Sequence, residues 1–171
     1  MNKLIKEKCK KIKMILTDVD GVLTDGGMYY TENGDTMKKF HTRDGMAVSI
    51  LRKNGILTIV VTKEKTLFVK KWAQTMKIEE LFDGMIKKEN VIEKICIKYQ
   101  INADELAYIG DDINDINLIN AVGLSIVPQD ANYEAKKFAN YITKTEGGKG
   151  VLREVADMLL TSRFGDKKKL Y

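Results

Sequence analysis

Apolar, strand-like runs at 14–17, 56–61, 106–109 and 123–127 alternate with helix-patterned segments near 44–54, 65–77, 88–100, 113–121, 131–139 and 151–160. This alternation predicts an α/β fold, a doubly wound (Rossmann-like) parallel sheet with helices on both faces. The length of 171 residues suits that class, being enough for one domain that buries roughly two thirds of its unfolded surface. No internal repeat, low-complexity stretch or Pro/Ser-rich linker interrupts the pattern, so residues 1–171 are expected to form a single domain.

The first strand-like run, Met14-Ile15-Leu16, leads directly into Asp18-Val19-Asp20-Gly21-Val22-Leu23-Thr24-Asp25. Side chains alternate along a strand, so Asp18 and Asp20 are expected on one face, with Gly21 allowing a sharp turn beneath them. Two carboxylates that close raise each other's pKa unless a cation intervenes. A hard divalent cation with oxygen ligands removes that cost, and magnesium is the usual choice beside phosphates. Turn-forming Asp residues that merely cap a strand end would give the same string.

Between Gly26 and Phe40 the pattern changes to Met28-Tyr29-Tyr30, Asn33-Gly34 and Met37-Lys38-Lys39-Phe40. Asn-Gly between strand-like runs signals a β-hairpin, expected at about 26–41. Its apolar side chains exceed what an isolated hairpin carries, which points to a partner surface. Next, Ile59-Val60-Val61 ends in the hydroxyl of Thr62, although a half-buried strand Thr is a common structural residue. Little more than a helix and a short strand fits between Thr62 and Lys87-Lys88, which opens a helical segment. Ala107-Tyr108-Ile109 then runs into Gly110-Asp111-Asp112-Ile113-Asn114-Asp115, where Asp112 either caps the following helix or joins a metal site. In the closing helix, Val151, Leu152, Val155, Ala156 and Leu159 recur at helical spacing.

Hydrophobic residues make up 44% and charged residues 31%, an ordinary globular balance. No apolar run approaches the ~20 residues of a membrane span, and no secretory leader is visible, so a cytoplasmic location is expected. Cys9 and Cys96 are too isolated for a disulfide framework or a zinc site. The net charge of +5 is concentrated in Lys3, Lys6, Lys8, Lys10, Lys11 and Lys13 at one end and Lys167, Lys168 and Lys169 at the other. With no aromatic residues interleaved to stack bases, these clusters are read as solvated tails, and no nucleic-acid partner is expected.

Asp18-x-Asp20, Thr62, Lys88 and Gly110-Asp111-Asp112-x-x-Asp115, in that order, resemble the four motifs of the haloacid dehalogenase superfamily of phosphatases. The resemblance implies Asp18 as nucleophile and Asp20 as general acid and base. It implies magnesium held by the Asp18 carboxylate, the Asp20 carbonyl and Asp111, with Asp115, alongside Asp112, in the outer shell. Thr62 would bind a phosphoryl oxygen and Lys88 would neutralise charge. Lys87 competes for that place, and the family's Gly-x-x-x-Lys pattern, mapped onto Gly84 to Lys88, favours Lys88. Larger relatives insert a cap domain after the first motif, where this chain has only the hairpin.

Asp25-Gly26-Gly27, Lys39-Phe40-His41-Thr42-Arg43-Asp44-Gly45, Ala131, Gly147-Gly148-Lys149-Gly150 and Arg153-Glu154 resemble more closely the capless phosphatases of 3-deoxy-D-manno-octulosonate 8-phosphate. The resemblance implies a small sugar acid phosphate as substrate and a homotetramer in which a neighbour closes each site. It implies substrate contacts from Arg43, Asp44, Glu64, Lys65, Gly147, Gly148 and Arg153. The glycines equally suit a simple turn before the last helix. Phosphatases of nonulosonate 9-phosphates are also similar, and Glu64 and Lys65 are closer to their pattern, whereas Arg43-Asp44-Gly45 favours the octulosonate group. Trp72 replaces a common arginine, a loss that Lys70 or Lys71 could offset. His41, the only histidine, is expected at an interface or substrate edge. A catalytically silent oligomerisation module is the competing reading, but such a module would need none of Asp18, Asp20, Lys88 or Asp111.

Overall fold

A computed structural model describes residues 2–167 and 169 of the chain; Lys168 of the C-terminal lysine cluster lies outside the described residues. In chain order the elements are α1 (Lys3–Lys11), β1 (Met14–Thr17), β2 (Tyr29–Thr31), β3 (Gly34–Met37), α2 (Thr42–Lys53) and β4 (Leu57–Val61). They continue with α3 (Leu67–Met76), β5 (Glu80–Phe82), α4 (Val91–Tyr99), β6 (Leu106–Ile109) and α5 (Ile116–Ala121). The last are β7 (Leu124–Val127), α6 (Tyr133–Phe138), β8 (Tyr141–Ile142) and α7 (Val151–Phe164).

Six strands form a sheet in the order β5-β4-β1-β6-β7-β8, and every adjacent pair is parallel. Strand alternation divides the core in two. Ile15, Val60, Ala107 and Ile109 face α1, α2 and α7, whereas Met14, Leu16, Ile59, Val61, Leu106 and Tyr108 face α4, α5 and α6. The central strands are buried on both sides, which is why they read as continuous apolar runs rather than as alternating ones.

The N-terminal lysines do not form a solvated tail. All but Lys13 lie on α1, whose Asn2 cap accepts from the Ile5 N–H at 2.9 Å, and Ile5 and Cys9 are buried in the core that contains α7. Lys3, Lys6, Lys10 and Lys11 remain exposed on its outer face. The helical segments at 88–100 and 113–121 each open with a short 3₁₀ turn, Lys88–Asn90 and Ile113–Asp115. β8 was not expected, since two residues carry no readable period.

β2 and β3 form a separate antiparallel ribbon, with Tyr29 opposite Met37 and Thr31 opposite Gly34. The connection is Glu32-Asn33, one residue earlier than Asn-Gly pairing predicts, and Gly34 takes a φ of +105° as the first residue of β3. Met28, Tyr29, Tyr30 and Met37 on this ribbon are exposed. No cap domain follows: only this hairpin separates β1 from α2, and only α3 and β5 lie between Thr62 and Lys88. Among the described residues no helix is long and apolar enough to cross a membrane.

Candidate active site

β1 lies between β4 and β6, so the carboxyl ends of three neighbouring strands open on one cleft, the usual ligand position in such sheets. Asp18 and Thr62 stand one residue beyond β1 and β4, and Asp111 stands two beyond β6. The cleft has a volume of about 480 Å³, and Asp18, Asp20, Thr62, Glu64, Asp111 and Asp112 line it.

Asp18 is held from three sides. Its N–H donates to the Ile109 carbonyl at 2.9 Å, its Oδ1 accepts from the Val19 N–H at 2.7 Å, and its Oδ2 accepts from Lys88 Nζ at 2.6 Å. Lys88 is buried and Lys87 is exposed, so the fold itself selects Lys88 for the site. The same ammonium donates to Asp115 Oδ1 at 2.7 Å. Asp115 also receives the Tyr108 hydroxyl on Oδ1 and the N–H groups of Asp111 and Asp112 on Oδ2. With four donors its acceptor capacity is filled, so it orients Lys88 and the Asp111 loop and has no lone pair left for a metal. Asp112 caps the 3₁₀ turn, its Oδ1 accepting from the Ile113 N–H at 2.8 Å. Thr62 Oγ1 accepts from the Glu64 N–H at 3.3 Å, which leaves the hydroxyl proton available to a ligand.

Burial pushes Asp18 up to about 7, with Asp115 adding to the shift and Lys88 opposing it. Asp111 is pushed up to about 8 by burial and by Asp18, Asp115 and Asp112. Burial works against the Lys88 charge, but the Asp18 and Asp115 carboxylates outweigh it and hold the ammonium above its ordinary value.

Oxygens of Asp18, Asp111 and Asp115 lie within 4.8 Å of one another. Three carboxylates against one ammonium leave a deficit of two positive charges, and the Asp111 carboxylate accepts no hydrogen bond from the described residues. Gly21 supplies the space: a Cβ there would sit 2.0 Å from Asp111 Oδ2, at a φ of +76°. The donor set therefore fits a hard divalent cation between Asp18 and Asp111.

A family model for haloacid dehalogenase-like hydrolases matches residues 61–155. The 3-deoxy-D-manno-octulosonate 8-phosphate phosphatase KdsC of Haemophilus influenzae is 34% identical over 159 residues, covering 93% of this chain and 88% of its own length. This chain belongs to the haloacid dehalogenase-like hydrolases. Within them it groups with the octulosonate 8-phosphate phosphatases. The Yersinia pestis phosphatase of that name superposes with a TM-score of 0.93 at 30% identity, over 98% of this chain and 89% of that one. The Moraxella catarrhalis enzyme, whose structure contains a magnesium ion, a phosphate ion and KDO, superposes with a TM-score of 0.90 at 30% identity, covering 95% and 92%.

Several residues expected at the substrate lie outside the cleft lining of the single chain. Asp44 is buried, and its Oδ1 accepts from the Arg153 N–H at 3.0 Å; the carboxylate ties α2 to the first turn of α7 and does not line the cleft. The Arg153 guanidinium pairs with Asp157 at 2.8 Å on its own helix. Arg43 and Lys65 are exposed and outside the cleft lining. Gly147 and Gly148 brace the nucleophile loop from behind: the Gly148 N–H donates to the Val22 carbonyl at 3.0 Å, and a Cβ on Gly147 would meet the Gly21 carbonyl oxygen at 2.2 Å. His41 caps α2, its Nδ1 accepting from the Arg43 N–H at 3.2 Å, and Trp72 stacks on Phe40 with centroids 4.9 Å apart. Lys70 pairs with Asp83 at 3.4 Å.

Three contributors had escaped the sequence. The Tyr108 hydroxyl reaches Asp115, a role hidden inside an apolar strand. Glu154 accepts from Tyr141, from the Lys144 and Thr145 N–H groups and from the Thr145 hydroxyl, pinning the segment that carries the glycines. Lys38, one residue past β3, donates to Asp20 Oδ1 and, at 2.8 Å, to Glu64 Oε2. The only signal for Lys38 was a lysine where the hairpin returns to the body of the fold.

Proposed function

We propose that this chain is a magnesium-dependent phosphomonoesterase that converts 3-deoxy-D-manno-octulosonate 8-phosphate and water into the free sugar acid and inorganic phosphate. The observation that carries the reading is the contact of buried Lys88 with Asp18, which lines one cleft together with Asp20 and Asp111. Similarity to phosphatases of this sugar phosphate supports the choice of substrate.

In this reading an Asp18 carboxylate oxygen attacks phosphorus and the ester P–O bond breaks. Asp20 delivers its proton to the departing sugar oxygen. Water then attacks the aspartyl-phosphate, Asp20 takes the proton from that water, and phosphate leaves with Asp18 restored. Lys88 and the Thr62 hydroxyl hold charge that builds on the phosphoryl oxygens. The Asp18 and Asp111 carboxylates and the Asp20 carbonyl would hold magnesium, which when bound supplies charge neutralisation at the transferring group.

The exposed apolar residues of the hairpin support a homotetramer in which a neighbouring copy covers each open cleft. Residues 1–171 act as one domain in this reading, at work in the cytoplasm. The test is phosphate release from the octulosonate 8-phosphate and from a nonulosonate 9-phosphate, each with magnesium and then with EDTA. Metal-dependent release from the eight-carbon substrate is expected. Equal release with and without metal overturns the mechanism, and preference for the nine-carbon substrate overturns the sugar assignment.

A further inference from the structure

Lys38, like Lys88, is a largely buried lysine that pairs with acids of the cleft lining. Its side chain is 8% exposed although it leaves an otherwise exposed hairpin, and it bridges two acids from different loops. Asp20 comes from the turn after β1 and Glu64 from the turn after β4. The Thr24 hydroxyl also donates to Asp20, at 3.2 Å, and it too uses Oδ1. Both donors thus converge on one oxygen, and no described residue donates to Oδ2. A carboxyl group gripped at Oδ1 can turn only about that grip, so Oδ2 becomes the oxygen able to exchange a proton with a ligand.

We propose that Lys38 is a positioning residue for the hydrolase reaction: it fixes Asp20 through Oδ1 so that Oδ2 performs the proton transfers, and Glu64 holds Lys38 in place for that task. This rests on the assignment of Asp20 as acid and base. Because the hairpin carries Lys38, correct seating of the ribbon and correct aim of the acid become one event. A long ammonium side chain loses rotational freedom when bridged between two carboxylates, so the aim of Asp20 is set before substrate arrives.

The experiment uses the full chain with magnesium and compares two phosphate esters. The sugar acid ester has a poor alkoxide leaving group that needs the acid, whereas 4-nitrophenyl phosphate has a good one that does not. Lys38→Met is expected to lower kcat on the sugar ester ~10- to 100-fold, a part of the roughly 100- to 10,000-fold that a positioned acid–base group supplies, with KM changed less than about threefold. Release of the nitrophenolate in the first turnover should fall far less. Lys38→Arg should recover most of the loss, and Glu64→Gln should give a smaller loss of the same kind. Lys38→Met combined with Asp20→Asn should be no slower than Asp20→Asn alone, because the lysine acts through that carboxyl. Unchanged kcat, a loss confined to KM, equal losses on both esters or additive losses in the double variant would overturn the proposal. Should Lys38→Met unfold, the Glu64→Gln and Lys38→Arg comparisons decide the matter alone. Near wild-type activity of Asp20→Asn would instead remove the acid assignment itself, a result separate from any outcome at Lys38.

Discussion

Lys88 Nζ and Asp18 Oδ2 lie 2.6 Å apart with both side chains almost wholly withdrawn from solvent. The ammonium also serves Asp115, so one buried cation compensates two buried carboxylates. An arrangement this costly to desolvate is a property of a site rather than of a scaffold.

Removing the cation should be felt in both stability and rate. Lys88→Met leaves two buried acids unpaired, and a loss of about 3–5 kcal/mol is expected in denaturant unfolding. Turnover should fall at least ~100-fold, as for removal of other transition-state charge partners. A variant of unchanged stability would show that the pair is not formed in solution.

Magnesium should stabilise the folded chain. Asp18 and Asp111, pushed up to about 7 and about 8 chiefly by burial, bring carboxylate oxygens within 4.8 Å of each other, and Lys88 offsets only part of that shift. At a magnesium concentration one hundred times its dissociation constant, linkage gives about 2.7 kcal/mol, visible as a raised Tm that EDTA reverses. Asp111→Asn should lose most of that rise.

Asp44 should make stability depend on pH away from the cleft. Burial pushes it up to about 7, against the lowering effect of the Arg153 and Leu152 N–H groups. Its Oδ2 accepts no hydrogen bond, so the protonated form suits the site. A raised carboxyl favours the folded state fully below the ordinary carboxylate range, near pH 4, and that contribution disappears as pH rises through about 7. Asp44→Asn should therefore flatten the decline of Tm between pH 4 and 8 and be more stable than wild type at pH 8. The difference at pH 8 should be on the order of a few kcal/mol.

Gly21→Ala should displace the Asp111 carboxylate. Its Cβ would overlap Oδ2, and the positive φ at Gly21 adds strain of roughly 1 kcal/mol for any L side chain. Magnesium titration by calorimetry should show at least ~10-fold weaker binding, while circular dichroism retains the α/β signature.

Charges on the hairpin should separate the copies. Tyr30→Asp and Met37→Asp place carboxylates on exposed positions of the ribbon. Light scattering should report smaller species, and steady-state kinetics should report a raised KM. A wild-type mass of one subunit at full activity would refute the assembly.

Much of this molecule was legible because its signals are local. Each motif acid follows a strand buried on both faces, so an apolar run ending in Asp or Thr marks the carboxyl edge of the sheet without further information. What the sequence did not show involves contacts between residues distant along the chain. Asp44 sits in a segment that resembles a substrate motif, yet its partner is the backbone of α7, 109 residues away. Lys38 reaches acids 18 and 26 residues from it, and neither spacing has a local period. The lysine-rich N-terminus looked solvated because Ile5 and Cys9 show their value only against α7.

By itself the sequence determined the parallel α/β architecture, the hairpin in place of a cap and the set of acids at the strand ends, since short-range periodicity and turn chemistry encode these. Tertiary structure alone decided that Lys88 and not Lys87 pairs with Asp18, that Asp115 is spent on four donors, and that Asp44 and the glycine segment contact α7 and the Asp18–Thr24 loop. The reason is physical: hydrogen-bond saturation and burial are properties of neighbours in space, and a chain read in one dimension shows which groups are present but not which lone pairs are already taken.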